Sequence, residues 1–397
     1  MHSVSILAAA FGLLSAPALA SPVEARDILA DLQVQAMDTL KENDSSVVNK
    51  RSACNIFNAR YRRDWEAFSK QERKDYISAV QCMLTSPSKS DPAFAPGARN
   101  RYDDFVAVHI NQTLSIHGTG NFLTWHRYFV WAYEEALRNE CGYKGAQPQT
   151  LLHPSDIDQQ YWNWLKYQDD LTKSPVFDGS ETSLSGDGAF VKHNGSVSGA
   201  GAIILPSGNG GGCVESGPFV NMTVNLGPVS PGMDGMKASP NGKLGHNPRC
   251  LSRDLSSYAM KSWMTNENMF NLTVGSASRN IELFQNELQG RFTDGFLGMH
   301  AAGHFSVNGE ASDLYSSVVD PTFFLHHAMV DRVYWLWQLT HFWAAFDIAG
   351  TITINNRPPS RDATVDDEIN LGVTAENRKI GDLLNTLGNS PLCYVYA

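Results

Sequence analysis

The chain has 397 residues, 42% of them hydrophobic and 18% charged, with 41 acidic against 31 basic side chains. It is too long and too apolar to be a disordered or peptide-like chain, and it suits one large domain or two ordinary ones. A formal net charge of −10 with no local basic patch argues against a nucleic-acid or anionic-membrane partner, since either would repel it.

Residues 5–20 carry no charge and end in Ala18-Leu19-Ala20, the small-x-small pattern that signal peptidase reads. The run is shorter than the ~18 residues a membrane span needs, and no later segment supplies one. Residues 1–20 are therefore expected to be a signal peptide, and the protein secreted to the extracellular space. Residues 21–51 are polar and end in Lys50-Arg51, a dibasic pair suited to a processing protease. They are expected to be a pro-segment, leaving 52–397 as the working domain.

Between residues 60 and 84 the side chains Trp65, Phe68, Tyr76, Val80 and Leu84 recur at spacings near three and four, with Ser69 dividing two predicted helices. Helical periodicity returns over 100–108 and 121–137, where Phe122, Trp125, Phe129, Tyr133 and Leu137 form one stripe. From 179 to 217 eleven of 39 residues are glycine, and the stretch to Pro248 adds more Gly, Pro and Asn, so regular structure is not expected there. Short helices are predicted over 282–288 and 298–305, and the longest apolar helical run over 323–343, with Trp335, Trp337 and Trp343 assigned to its core stripe. The pattern is mainly α with long irregular loops and little β.

Six cysteines, Cys54, Cys82, Cys141, Cys213, Cys250 and Cys393, make an even set with no CxxC pair. In a secreted chain this favours disulfides over a metal site, with fifteen pairings possible. A bond between Cys213 and Cys250 would close the irregular stretch that they bracket and restrict its unfolded entropy. Sequons at Asn43, Asn111, Asn194, Asn221 and Asn271 point to N-glycosylation.

Seven of the twelve histidines fall in two short windows, 109–126 and 300–327. His300 and His304 are four apart, so on a helix they share a face and can share a metal ion. His326 and His327 follow, and neighbours on a helix diverge by about 100°, so only one readily completes that site; His327 is the expected ligand. Asp331, four residues on, is expected to accept a hydrogen bond that orients a histidine. His109, His117 and His126 make the other group. With no HExxH and no cysteine cluster, a zinc hydrolase is the weaker reading, whereas all-imidazole donor sets suit copper.

Around these histidines stand FLTWHRYFVWAYEEALR at His126, YWNW at 161–164, HAAGH at 300–304 and DPTFFLHHAMVDRVYWLWQ at 320–338. On these motifs, over residues 54 to 397, the chain resembles the type-3 copper proteins, in particular the short fungal tyrosinases and catechol oxidases, also called polyphenol oxidases. The resemblance implies an antiparallel four-helix bundle holding two copper ions, with O2 as co-substrate. His109, His117 and His126 would bind the first copper and His300, His304 and His327 the second. It also implies disulfides Cys54–Cys393, Cys82–Cys141 and Cys213–Cys250. Tyr394 and Tyr396 would contact an arginine of the first helix, Arg62 or Arg63.

Two departures bear on activity. Ser115 stands where many fungal relatives have the cysteine that forms a thioether to a ligand. Ala301 stands where many phenol-hydroxylating relatives have an asparagine, and no Glu lies in the ten residues before His300. The resemblance so amended implies oxidation of o-diphenols, or o-aminophenols, to o-quinones while O2 is reduced to water. A monophenol-hydroxylating tyrosinase and a haemocyanin-like oxygen carrier are the alternatives. Small phenols and O2 are the expected partners, Ala301, Phe305 and Phe323 the expected substrate-pocket residues, and the oligomeric state is left open.

Overall fold

Ser69 and Asn100 each start a helix in the same way. The side chain accepts from the backbone N–H three residues on, and an acidic residue there, Glu72 or Asp103, returns the bond. The computed structural model describes residues 28–46, 54–145, 157–198, 201–388 and 390–397. The expected signal peptide and the Lys50-Arg51 pair lie outside these residues.

Nine α-helices occur among the described residues. They are α1 (Ile28–Ser46), α2 (Lys70–Thr85), α3 (Arg101–Ile116), α4 (Phe122–Cys141), α5 (Ser257–Trp263), α6 (Asn266–Thr273), α7 (Ile281–Gln289), α8 (Gly298–Val307) and α9 (Thr322–Thr340). The four that carry the clustered histidines, α3, α4, α8 and α9, form the predicted bundle. Almost every residue of α9 is buried, as its unbroken apolar run requires. Gly142, at φ 68°, ends α4 in the left-handed conformation that glycine adopts without strain.

Strands are short. β1 (Arg60–Asp64) lies between β2 (Ile157–Tyr161) and β11 (Tyr394–Tyr396) in a parallel sheet, with Tyr61 opposite both Ile157 and Val395. The helical reading of residues 60–64 is thus corrected. Tyr61 and Arg63 are half-buried while Arg62 is fully buried, an alternation of period two within a run too short and too charged to show it by hydropathy. The glycine-rich stretch is also not wholly irregular. It contains β3 (Gly188–Phe190) paired with β6 (Gly211–Val214), β4 (Ser196–Ser198) with β5 (Ile203–Leu205), and β7 (Thr223–Val224) with β8 (Arg249–Cys250). A further pair, β9 (Glu368–Ile369) and β10 (Arg378–Lys379), follows α9.

All three implied disulfides are present: Cys54–Cys393, Cys82–Cys141 and Cys213–Cys250. The first fastens the chain just before β1 to β11; the second joins α2 to the end of α4. α1, within the expected pro-segment, packs Leu29, Leu32 and Ala36 inward. Its Gln33 Nε2 donates to the Tyr396 carbonyl at 2.7 Å, and Arg332 of α9 donates to Gln33 Oε1 at 3.2 Å. Trp335 and Trp337 lie in the core as expected, but Trp343 is 66% exposed, because α9 ends at Thr340 before the stripe reaches it.

Candidate metal centre

α3 and α4 bring His109, His117 and His126 together, and α8 and α9 bring together His300, His304, His326 and His327; within each group one ring nitrogen per residue lies within 4.8 Å of the others. The two groups face one another, with the His126 and His327 rings stacked at 4.5 Å and His117 and His300 6.2 Å apart. Phe323 packs beneath both groups, 4.1 Å from the His327 ring centroid and 5.3 Å from that of His109.

The first group is held by carbonyls. His109 Nδ1 lies 2.7 Å from the Tyr315 carbonyl, His117 Nδ1 3.0 Å from that of Thr113, and His126 Nδ1 2.8 Å from that of Phe122. A carbonyl only accepts, so each Nδ1 carries the ring proton and each Nε2 keeps its lone pair. The Nε2 atoms of His109 and His126 are buried with no hydrogen-bond partner among the described residues. In the second group, His304 Nε2 lies 3.2 Å from His300 Nε2 and 3.3 Å from His327 Nε2. Burial pushes His117 down to about 4 and His304 to about 3, the latter with help from His117, so both are neutral and ready to donate at pH 7. The buried Nε2 lone pairs of His109 and His126, which no proton donor satisfies among the described residues, fit a soft-to-borderline metal ion, and an all-nitrogen set fits copper.

His326 is set apart by its partners. Trp164 Nε1 donates to its Nδ1 at 3.1 Å, and its Nε2 lies 3.0 Å from the His300 carbonyl. Both nitrogens are engaged, which leaves His327 free to complete the second group.

Asp331 does not orient a histidine. Its carboxylate accepts from Arg127 Nε at 2.6 Å, Arg62 Nη1 at 3.1 Å, the Tyr396 hydroxyl at 2.7 Å and the Tyr394 hydroxyl. His327 Nδ1, one helical turn away, has no hydrogen-bond partner among the described residues. Residues four apart do share a helix face, but here that face meets arginines from β1 and α4 that compete for the carboxylate. The tyrosine pair contacts Arg62, whose guanidinium lies over the Tyr394 ring at 3.4 Å, and Arg62 sits on a strand rather than on a helix.

Ala301, next to His300, is half-buried and its methyl offers no hydrogen bond. Phe305 is 7% exposed and lies so close under Gly232 that a Cβ there would come within 3.2 Å of the ring, so it packs against the glycine-rich stretch. Ser115 is exposed, its hydroxyl turned to the Gln112 carbonyl. Sequence reasoning missed Trp164 and the carbonyl acceptors. The acceptors of His117 and His126 lie four residues back, Phe122 on the same helix as His126 and Thr113 in the last turn of α3, which His117 caps.

Fold and site together define a protein of the type-3 dicopper class. The chain belongs to the tyrosinase family, whose model, described as the common central domain of tyrosinase, matches residues 99–340. It is 37% identical over 343 residues to tyrosinase P of Aspergillus terreus, covering 84% of this chain and 91% of that protein. It is 35% identical over 361 residues to N-acetyl-6-hydroxytryptophan oxidase of Emericella nidulans, covering 86% and 93%. A polyphenol oxidase variant from Thermothelomyces thermophila has a similar structure, with a TM-score of 0.84, 36% identity and coverage of 93% of this chain and 97% of that one. The family's cofactor is a pair of copper ions, and the two histidine groups fit it.

Proposed function

We propose that the protein oxidises o-diphenols to o-quinones, and o-aminophenols of similar shape to o-quinone imines, while O2 is reduced to water, two substrate molecules being consumed per O2. His109, His117 and His126 hold one copper, and His300, His304 and His327 hold the other. Copper supplies the oxygen binding and redox chemistry; the chain supplies neutral donors, a fixed distance between the two groups, and a dry floor at Phe323. Ala301 and the half-exposed edge of His304 form the side from which a phenol approaches.

The single observation that carries the choice of substrate is Ala301. Hydroxylating a monophenol requires removal of its proton at the metal pair, and a base must lie within reach to take it. A methyl group beside His300 cannot position water, and no carboxylate hydrogen-bonds to any of the six imidazoles among the described residues. An o-diphenol is more acidic and presents two oxygens, so it depends less on such a base. Copper-loaded protein should oxidise catechols and o-aminophenols without a lag and turn over monophenols slowly or not at all. Rapid quinone formation from a monophenol would establish the tyrosinase reading, and absence of any diphenol oxidation the oxygen-carrier reading.

Maturation belongs to the same proposal. Residues 1–20 direct secretion, cleavage after Lys50-Arg51 releases 52–397 as the catalytic domain, and glycans occupy sequons such as Asn111, Asn194 and Asn221, all exposed. Asn271 is a poorer acceptor in the folded protein, since its Nδ2 donates to Glu287 at 3.1 Å. No helix among the described residues is long and apolar enough to cross a membrane. Gln33 of α1 pairs with Tyr396 and Arg332, away from the histidines, which favours a stabilising pro-segment over one that plugs the site.

A further inference from the structure

We propose that Trp164 locks His326 out of the metal centre, so that the second copper keeps three imidazoles instead of four. The inference rests on the reading that His300, His304 and His327 hold that copper.

The second histidine group is over-supplied. Four imidazoles, not three, place a nitrogen within 4.8 Å of one another. The His326 ring is wedged among the other three, stacked on His300 at 5.6 Å and edge-on to His304 at 4.5 Å and to His327 at 5.2 Å. A metal ion meeting four neutral imidazoles at this range would take all four if their lone pairs were free, and a four-imidazole site leaves no place for O2 or substrate.

The hydrogen bonds prevent this. Indole nitrogen only donates, so Trp164 Nε1 at 3.1 Å assigns the Nδ1 lone pair of His326 to that bond. The neutral ring then carries its proton on Nε2, which donates to the His300 carbonyl at 3.0 Å. One indole N–H thus fixes the tautomer, and the tautomer occupies both nitrogens. The second bond also ties α9 to the backbone of α8 at a ligand residue, which fixes where His300 begins its reach. Room for the ring is made at Gly303, where a Cβ would lie 2.1 Å from His326 Cε1. Trp164 is itself fully buried, and its segment is pinned to α9 by Trp162 N donating to the Leu325 carbonyl at 3.1 Å. The donor therefore has no freedom to turn away.

The test uses the full copper-loaded protein, with W164F, H326Q and their combination. Copper per chain is measured by elemental analysis, and the near-ultraviolet absorption that develops on adding O2 is recorded beside kcat and KM for a catechol. Phe removes the N–H and frees Nδ1; Gln keeps an acceptor for Trp164 and a donor for the His300 carbonyl but offers copper no imidazole. W164F is expected to retain two coppers while its oxygen-dependent absorption and kcat fall about tenfold at unchanged KM. H326Q is expected to retain two coppers, and the double variant to recover most of the absorption lost in W164F. A drop to one copper in H326Q would make His326 a ligand and overturn the proposal. So would an unaltered absorption in W164F, or a double variant as impaired as W164F, which would reduce the pair to packing. If W164F does not fold, the copper content of H326Q decides alone. Wild-type protein that binds no copper, or binds it and oxidises no catechol, would instead refute the function proposed above.

Discussion

Arg127 donates from Nε to Asp331 Oδ1 at 2.6 Å, joining the helix that carries His126 to the helix that carries His327. Arg127 follows His126 directly, and Asp331 lies one helical turn beyond His327. The same carboxylate accepts from Arg62 of the central strand and from both tyrosines of β11. Arg62 in turn donates to Glu134 of α4 at 2.9 Å, so the charges balance within a dry cluster. Removing one partner of such a network strands the others. Asp331→Ala is expected to lower stability by about 3–5 kcal/mol, seen as an earlier urea midpoint at unchanged slope. A loss below about 1 kcal/mol would mean that water enters the cluster and replaces the carboxylate.

Two carboxylates respond to acid in opposite directions. Burial alone would raise Asp331, but Arg127 and Arg62 outweigh it and hold its pKa below the ordinary value of 3.8. The stability it contributes is present above about pH 4 and is lost as pH falls through the lower, folded-state value. Asp187 is raised from 3.8 to about 6, chiefly by burial and further by Asp254 nearby. The folded state therefore holds the Asp187 proton more tightly than the unfolded state does, and the stability it confers is lost as pH rises from about 4 to about 6. Asp187→Asn keeps an oxygen to accept from Leu255 N and Gly188 N. Its Tm should match that of the wild type near pH 4 and exceed it increasingly up to pH 7. A gap that does not change with pH would dismiss this account.

The sequence disclosed the six proposed ligands because spacing along helices carries directly into space: His300 and His304 share a face whatever surrounds them. It did not disclose what surrounds Asp331, since the same spacing argument points its carboxylate toward a histidine while arginines some 200 residues or more away in the chain capture it. β1 was misread for a related reason. Five residues with three arginines show no apolar alternation, and the strand exists because β2 and β11 pair with it on either side. The sequence favours His327 over His326, but the partner that engages His326, Trp164, is one that only the fold brings into range.

Gly303 offers a local test of the α8–α9 contact. A Cβ there would stand 2.1 Å from His326 Cε1 and 2.4 Å from its Nδ1, and the imidazole cannot retreat because His300, His304 and His327 surround it. Gly303→Ala removes a flexible residue from a helix interior, which by propensity alone would stabilise the protein by about 1 kcal/mol. Overpacking is expected to outweigh that gain and give a net loss of about 1–2 kcal/mol. Copper content should fall from two toward one as α8 shifts. A Gly303→Ala protein more stable than wild type, with both coppers, would mean that α8 and α9 separate easily at this point.

Removing the metal should leave a folded but weaker protein. Three disulfides and a continuous apolar core hold the chain at places other than the histidines. The apoprotein nonetheless keeps buried Nε2 atoms at His109 and His126 with nothing to bond, a cost that metal binding relieves. Because copper binds the folded state, free ion at 100 times its Kd stabilises each site by about 2.7 kcal/mol. A chelator should therefore lower Tm by several degrees without abolishing the cooperative transition, and two equivalents of copper should restore it. His117→Gln, which removes one donor from the first group only, is expected to bind one equivalent and recover roughly half of the shift. Full recovery in His117→Gln would place the metal-linked stability wholly in the second group, and no shift in the wild type would mean that the histidines are already arranged as tightly without metal as with it.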